Sequence, residues 1–533
     1  MSDLLTLIFC RLTPDFNRTL EISIPIYETG AYAFYTTYAE LPDLSPDQVS
    51  SDPSESSLKK TPLYYIDVAP RLKLDGRPLP LPALSIFSVI SKFLGKYPSD
   101  WERHLSGISD RGYNMIHFTP LQVRGISNSP YSLYDQLGWD TACFPDGEKD
   151  VEKMIKSLEK NHSLLSLTDI VLNHTANNTK WLEEHPEAGY NLKTAPWLES
   201  AYLLDTGLLE LSSKLEELGL PVEVKSTADI EKIMEGVKKE VIAKIRLWEY
   251  FVLDVDREVD AAVDAWVAGQ TSVPSDVPEL SGKLEQLSLD KDNLKEHAAF
   301  FRDLALVGTD RLGEKFRRRV EPGVAATYLS RLFGRYEGEG SSGASKATAR
   351  AKMVEIVDIL NVPLYREYDS ELDVILQQLF NRIKYMRLED HGPKLGAITA
   401  ENPLIESYFT RLPQNDATSK LSEGERALAN NGWVWGGNAL VDNAGPDSMV
   451  YLRREVIVWG DCVKLRYGSG PEDSPWLWEH MTKYARMLAK YFAGFRIDNC
   501  HSTPIHVAEH ILDEARRIRP DADRDRRRLG SDG

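Results

Sequence analysis

Two short stretches of the sequence end in side chains able to do chemistry. One is Leu167-Thr-Asp169-Ile-Val-Leu-Asn173-His174, an apolar run that closes on an amide and an imidazole. The other is Gly494-Phe495-Arg496-Ile497-Asp498, where a carboxylate follows an arginine by two positions. The first reads as a buried strand and the second as a short strand. Side chains two apart on a strand share a side, so Arg496 and Asp498 are expected to be neighbours. A guanidinium beside a carboxylate favours the anion and keeps it available as a nucleophile. Each stretch also has a purely structural reading: Asn173-His174 can close a strand onto a loop, and Arg496 with Asp498 can be a plain ion pair. What makes the two specific is their order, on strand ends of one strand–helix series. In a βα barrel the carboxyl ends of the strands form the reactive face.

The elements that must hold these residues follow from periodicity. Residues 1–80 read as a β-rich domain: Leu20, Ile22, Ile24 and Ile26 alternate, and Ala31–Tyr38 and Leu63–Val68 are aromatic and β-branched. Asp75-Gly76 signals a tight turn, and Pro42–Lys60 reads as a solvated loop. Over residues 81–204 strands and helices alternate. Ala83–Ile90, Tyr113–Thr119 and Leu164–Leu172 are strand candidates, and Trp101, Leu105 and Ile108, then Val151, Met154, Ile155 and Leu158, space as helix faces. That alternation argues for an α/β protein with a parallel sheet and crossover helices. Residues 205–430 read as a mainly helical insertion, with helical spacing from Ile230 to Ile245 running on through Trp248 and Phe251, and a Gly/Ser-rich link over Gly334–Ser345. Residues 431–520 resume the barrel, with a helix face at Met481, Tyr484, Ala485, Leu488 and Phe492. The strand ending in Asp498 follows, then a helix opened by Thr503-Pro504. Residues 521–533 form an Arg-rich tail with no apolar run, and seven arginines fall between Arg516 and Arg528.

Composition bounds the function. The chain has 533 residues, 42% hydrophobic and 27% charged, which excludes a wholly disordered or collagen-like protein. Lys+Arg 63 against Asp+Glu 81 gives a formal net charge of −18, which argues against a general nucleic-acid binder but not against an uncharged polymer. Cys10, Cys143, Cys462 and Cys500 form no motif and suit a reducing compartment. No basic segment precedes the short apolar run at the N-terminus, and no stretch is long enough to span a bilayer, so a cytoplasmic protein without membrane contact is expected.

Taken together, Asp169-Ile-Val-Leu-Asn173-His174 and Gly494–Asp498 resemble the D-x-V-x-N-H and G-[FL]-R-x-D signatures of the α-amylase-like glycoside hydrolase superfamily. Longer strings narrow the resemblance. Gly112–Gln122, Asn173–Ala176 with Trp181–Glu187, His391–Gly396, Tyr451–Arg454, Val463–Gly468 and Arg496–Pro504 are similar to the glucanotransferase part of the eukaryotic glycogen debranching enzyme family. The resemblance implies a (β/α)8 TIM barrel and a 4-α-glucanotransferase acting on glycogen and α-1,4-linked maltooligosaccharides. That family also carries an amylo-α-1,6-glucosidase. By motif, Asp498 is the implied nucleophile and Arg496 the group that holds it ionised. His174 is implied to bond hydroxyls of the reacting sugar, Asp169 and Asn173 to shape that strand end, and Tyr131 to stack on the same sugar. His501 stands where many amylases carry a lysine, and is counted with the substrate-binding residues. Trp433, Trp435, Trp476 and Trp478 are sugar-platform candidates set aside, because tryptophans are more often core.

The departures from the pattern shape a further expectation. A retaining mechanism needs a second carboxyl about 5–5.5 Å from the nucleophile. Glu509 and Glu514 lie within the crossover helix, and the later aspartate of the superfamily has no counterpart. About four barrel strands are identifiable, where closure takes eight. The expectation is an incomplete barrel of the α-amylase type, a truncated chain without turnover of its own, and a tail of out-of-frame or intron character. The alternative is a non-catalytic glycogen-binding or interaction protein. No cofactor and no metal, calcium included, is expected.

Overall fold

A computed structural model describes residues 23–26, 29–38, 59–272, 282–283, 285–287, 290, 292–308, 318–338, 340, 343–435 and 442–519. Near the N-terminus β1 (Gly30–Phe34) pairs antiparallel with β2 (Tyr64–Val68), Gly30 opposite Val68. β3 (Leu72–Leu74) and β4 (Arg77–Leu79) form a hairpin on the expected turn. Asp75 and Gly76 both take positive φ, 51° and 75°, the hand that matches the twist of the flanking strands. Of the strand expected over Leu20–Ile26, Ser23–Ile26 carries no ladder, and residues 20–22 lie outside the described residues. The loop expected over residues 42–60 is likewise outside them, except Lys59–Lys60, which pairs with Thr37–Tyr38.

The strand–helix alternation yields a four-stranded parallel sheet. β5 (Ile86–Val89), β6 (Met115–Phe118), β9 (Leu165–Ile170) and β14 (Gly494–Ile497) lie side by side in chain order. β7 (Gln122–Arg124) and β8 (Leu133–Trp139) form an antiparallel pair beyond β6. One face of the parallel sheet is apolar. Val89, Ile116, Phe118 and Ile170 pack on α1 (Glu102–Ser109), α2 (Glu148–Asn161), α9 (Pro475–Ala489) and α10 (Ile505–Ile518), whose buried residues include Leu105, Met154, Leu488 and Val507. Each such side chain contributes about 1.5–3 kcal/mol by leaving water. The opposite face carries Ser88, His117, Leu167 and Arg496, which with Tyr131 line a cavity of about 550 Å³.

Between these strands run α3 (Glu199–Lys214), α4 (Thr227–Gly236), α5 (Val255–Val267), α6 (Leu294–Leu304), α7 (Pro322–Phe333) and α8 (Lys346–Arg387). The helical periodicity from Ile230 does not continue unbroken to Phe251. After α4 the chain takes a π turn over Val237–Ile242, and Arg246 adopts a left-handed φ of 52° before the 3-10 turn Leu247–Tyr250. Of the Gly/Ser-rich link, residues 339, 341 and 342 lie outside the described residues.

Residues 431–464 depart from the expected barrel continuation. β12 (Ala427–Val434) and β13 (Val456–Lys464) form a separate antiparallel sheet with β11 (Phe409–Arg411) and β10 (His174–Ala176), in the order β10-β13-β12-β11. The reason is connectivity: no α-helix lies between β12 and β13 among the described residues, and a parallel pairing needs a crossover of a dozen or more residues, usually a helix. Thr503 also departs from expectation: its hydroxyl donates to the Asn499 carbonyl, 3.2 Å away, and Pro504 sits at the cap of α10. The Arg-rich tail, residues 521–533, lies outside the described residues.

Candidate active site

β9 and β14 pair in parallel with Asp169 directly opposite Arg496. The ladder carries on one step, with the Asp498 amide donating to the Ile170 carbonyl at 3.0 Å. This register brings Asp169, Arg496 and Asp498 to one strand end. Asp169 is fully buried, and Arg496 Nη1 donates to its Oδ1 at 2.8 Å. On the other side His117, on β6, sets Nε2 3.1 Å from the same oxygen. His117 Nδ1 in turn lies 3.0 Å from Ser88 Oγ on β5. A polar row thus crosses all four strands on the cavity side.

The electrostatics differ from what the sequence implies for Arg496. Its strong contact is with Asp169, directly opposite in the ladder; Asp498 Oδ1 stands 3.8 Å from Nη1. Burial raises the Asp169 carboxyl, but contacts with His117 and Arg496 outweigh it and hold the group below its usual value. Asp498 goes the other way. Burial, then the Asp169 charge, push it up to about 6 against the pull of Arg496. A carboxyl of this kind is still mostly ionised at pH 7, yet it loses charge within the physiological range.

A turn fixes Asp498 from behind. Asn499 takes a left-handed φ of 49°, which asparagine tolerates better than most residues, and its Nδ2 donates to Asp498 Oδ2 at 3.0 Å. The 3-10 turn Cys500–Ser502 follows, tied from two sides. Asn173 Nδ2 donates to Ser502 Oγ at 2.7 Å, and the buried Lys464 Nζ donates to the Ser502 carbonyl at 3.0 Å. Burial pulls the Lys464 ammonium down to about 8.

His174 is 1% exposed, with Nδ1 2.7 Å from Asn173 Oδ1 and Nε2 3.0 Å from the Tyr131 carbonyl. Burial lowers its imidazole to about 4. A neutral imidazole carries one N–H and both neighbours are oxygen acceptors, so the ring donates to only one of them and its other nitrogen keeps a lone pair. Tyr131 faces Asp169 and Asp498; burial and the two charges push its hydroxyl up to about 12. His501 is exposed on its turn. Glu509 is exposed on α10, while Glu514 is buried and held by Arg486 and Arg517.

Two residues of this region escape the sequence reading. His117 is a polar residue inside the apolar run Met115–Phe118, and Lys464 closes the mostly apolar β13. A polar side chain inside an otherwise apolar strand run is the signal that marks both.

Among the described residues no helix is long and apolar enough to cross a membrane. Comparison with known proteins gives a consistent picture. Residues 9–75 match the family described as the N-terminal domain from the human glycogen debranching enzyme. A curated relative, the glycogen debranching enzyme of Saccharomyces cerevisiae, is 46% identical over 503 residues; the match covers 94% of this chain and 30% of the yeast protein. Solved structures with local similarity include a maltogenic α-amylase from Thermotoga neapolitana, 24% identical, TM-score 0.19, covering 21% of this chain and 28% of that one. An α-amylase from Lactobacillus plantarum is 18% identical with TM-score 0.18, covering 33% and 47%. Residues 77–522 match the family described as "Glycogen debranching enzyme, glucanotransferase domain". With its α/β fold of the amylase type and Asp169, Arg496 and Asp498 on adjoining strand ends, the chain belongs to the glycogen debranching enzyme family.

Proposed function

We propose that this chain carries the nucleophile-bearing part of a 4-α-glucanotransferase that moves segments of α-1,4-linked glucan on glycogen in the cytoplasm. The observation that supports it best is the buried Asp498, presented at a strand end beside Arg496 and braced by Asn499. In the first step an Asp498 oxygen attacks the anomeric carbon and the bond to the departing sugar oxygen breaks, giving a glycosyl-enzyme. The departing oxygen takes a proton from a second carboxyl. An acceptor hydroxyl then attacks the same carbon, gives up its proton and frees Asp498, with net retention. Asp169 orients Arg496, Asn173 and Lys464 hold the turn behind the nucleophile, and Tyr131 and His174 border the sugar. Within this reading residues 1–80 form a β-rich domain, 81–204 and 465–520 supply strands of an incomplete barrel, and 205–430 are an insertion.

The test separates the nucleophile from the acid. An α-maltosyl fluoride loses fluoride without a proton donor, so it needs Asp498 alone for the first step. Incubated with the chain and no acceptor, it is expected to add one maltosyl group to the peptide containing Asp498, read by mass spectrometry. Asp498→Asn should abolish the label. Absence of label on the wild-type chain, or label that persists in the variant, would refute the assignment.

A second reading, a chain that binds glycogen without transfer, has one observation in its favour. Glu514 is locked by two arginines and Glu509 is exposed on α10, which leaves neither to serve as the acid. It predicts no disproportionation of unactivated maltooligosaccharides by the chain.

A further inference from the structure

The antiparallel sheet turns a row of indoles outward that the site above does not use. β12 and β13 pair with Trp433 opposite Ile457 and Val434 opposite Val456. Alternation sends Val434, Val456 and Val458 toward the apolar core and puts Trp433, Trp435, Ile457 and Trp459 on the other face. Trp433 and Trp435 are 47% and 48% exposed, their ring centroids 6.1 Å apart and their planes at 74°. Trp459, partly covered, meets the His174 ring edge to face at 6.0 Å. The row therefore starts beside the Asp498 turn and runs out to solvent. Exposure is not the rule for tryptophan here: Trp478 is buried, and Trp476 is sandwiched between the His185 and His480 rings.

We infer that Trp433, Trp435 and Trp459 form a stacking track for a linear α-1,4-glucan chain leading to the Asp498 site. The inference rests on the glucanotransferase reading and names where that polymer lies. Three observations choose this occupant. The track is continuous with the site through the contact of Trp459 with His174. Its margins carry Glu455 and Asp461, which repel an anionic polymer and offer acceptors to hydroxyl groups. The indoles of Trp433 and Trp435 stand at 74° to each other, a stepped surface that suits a chain turning at every residue better than a flat protein partner. The C–H faces of successive pyranose rings lie against successive indoles, as bases do on aromatic platforms.

Titration of the full chain with maltoheptaose, followed by tryptophan fluorescence, is expected to give saturable quenching. The double variant Trp433→Ala/Trp435→Ala should weaken binding by about tenfold or more, two stacking contacts being lost. Trp433→Phe/Trp435→Phe should retain most of the affinity. Cellohexaose, with the same sugar in a straight linkage, should bind far more weakly. Unchanged maltoheptaose affinity in the alanine pair overturns the track. So does self-association of the wild type, lost in the alanine pair without change in maltoheptaose affinity, since that face then belongs to a second copy. Covalent capture at Asp498 with an alanine pair of normal affinity sinks the track alone. Failed capture with intact, tryptophan-dependent binding sinks the transferase reading and leaves the track.

Discussion

At the residue scale the site rests on two carboxyls whose environments pull them apart. Asp169 is held low by His117 and Arg496, while Asp498 is pushed up to about 6 by burial and by Asp169 itself. The folded chain keeps a proton on Asp498 that the unfolded chain, at its ordinary 3.8, has released. The ionised side chain therefore costs stability above about pH 6, and the cost vanishes below the unfolded value. Asp498→Asn is expected to stabilise the chain by about 1–3 kcal/mol at pH 8. The gain should shrink as pH falls through 6 toward 4, measured by denaturant unfolding at both ends. Stabilisation that is absent at pH 8, or equal at both, contradicts the burial argument. Asp169 has the opposite sign: its contribution is present above its unfolded pKa and is lost as pH falls through its folded value. Removing its charge with Asp169→Asn takes away one of the two forces raising Asp498. The acid limb of maltosyl capture at Asp498 should then move to lower pH; a limb that stays or rises would count against the coupling.

At the element scale the antiparallel ladder between β12 and β13 is shaped by a glycine. Its register shifts between Asn430 and Gly432, and a Cβ on Gly432 would stand 2.2 Å from the Ile457 carbonyl oxygen. Backbone cannot yield as a flexible side chain can. Gly432→Ala is expected to cost about 2–4 kcal/mol in thermal or denaturant unfolding. Gly460, on β13, has nothing within 4 Å of a built Cβ, so Gly460→Ala should stay within about 1 kcal/mol of wild type. Equal effects of the two would mean that close approach at Gly432 is not what sets the bulge. The elements around the site were legible in the sequence wherever local chemistry decides. Asp75-Gly76 fits its hairpin because the turn demands positive φ twice, and the four strands of the parallel sheet fall within the stretches read as strands, although β5 is largely exposed and β14 carries Arg496. β12 and β13 are not read as strands at all: residues 427–430 fall in the helical insertion and 431–464 in the barrel region, because long-range antiparallel pairing leaves no local signal of which sheet a strand joins.

At the scale of the whole molecule, apolar burial gathers into several cores. One lies under the parallel sheet, one around α3, α4 and β12–β13, and one among α5, α6, α7 and α8. Among the described residues β5 and β14 are the outer strands of the parallel sheet, each paired on one side. Ile86, Phe87 and Ile90 on or next to β5 are 43%, 37% and 45% exposed. An unpaired strand with exposed apolar residues is a template for another chain. Concentration-dependent self-association is expected in sedimentation velocity, and Ile86→Lys should suppress it; a wild-type chain that stays monomeric at high concentration would show that this edge is inert.

The sequence by itself determined the chemistry and the local folding. Residue types and spacing placed Asp498 two after Arg496 and Asn173-His174 after a buried strand, because these depend on neighbours along the chain. Only the tertiary structure decided who meets whom. Parallel register set Arg496 closer to Asp169, at 2.8 Å, than to Asp498, at 3.8 Å. Packing turned His174 inward between Asn173 and Tyr131, and brought His117 and Lys464 into a site that no local pattern assigned them to. The same pairing that turned Val434 and Val456 toward the core left Trp433 and Trp435 about half exposed. Charge and hydrogen-bonding capacity are written into each residue. Desolvation and partner choice arise only when distant strands are laid side by side.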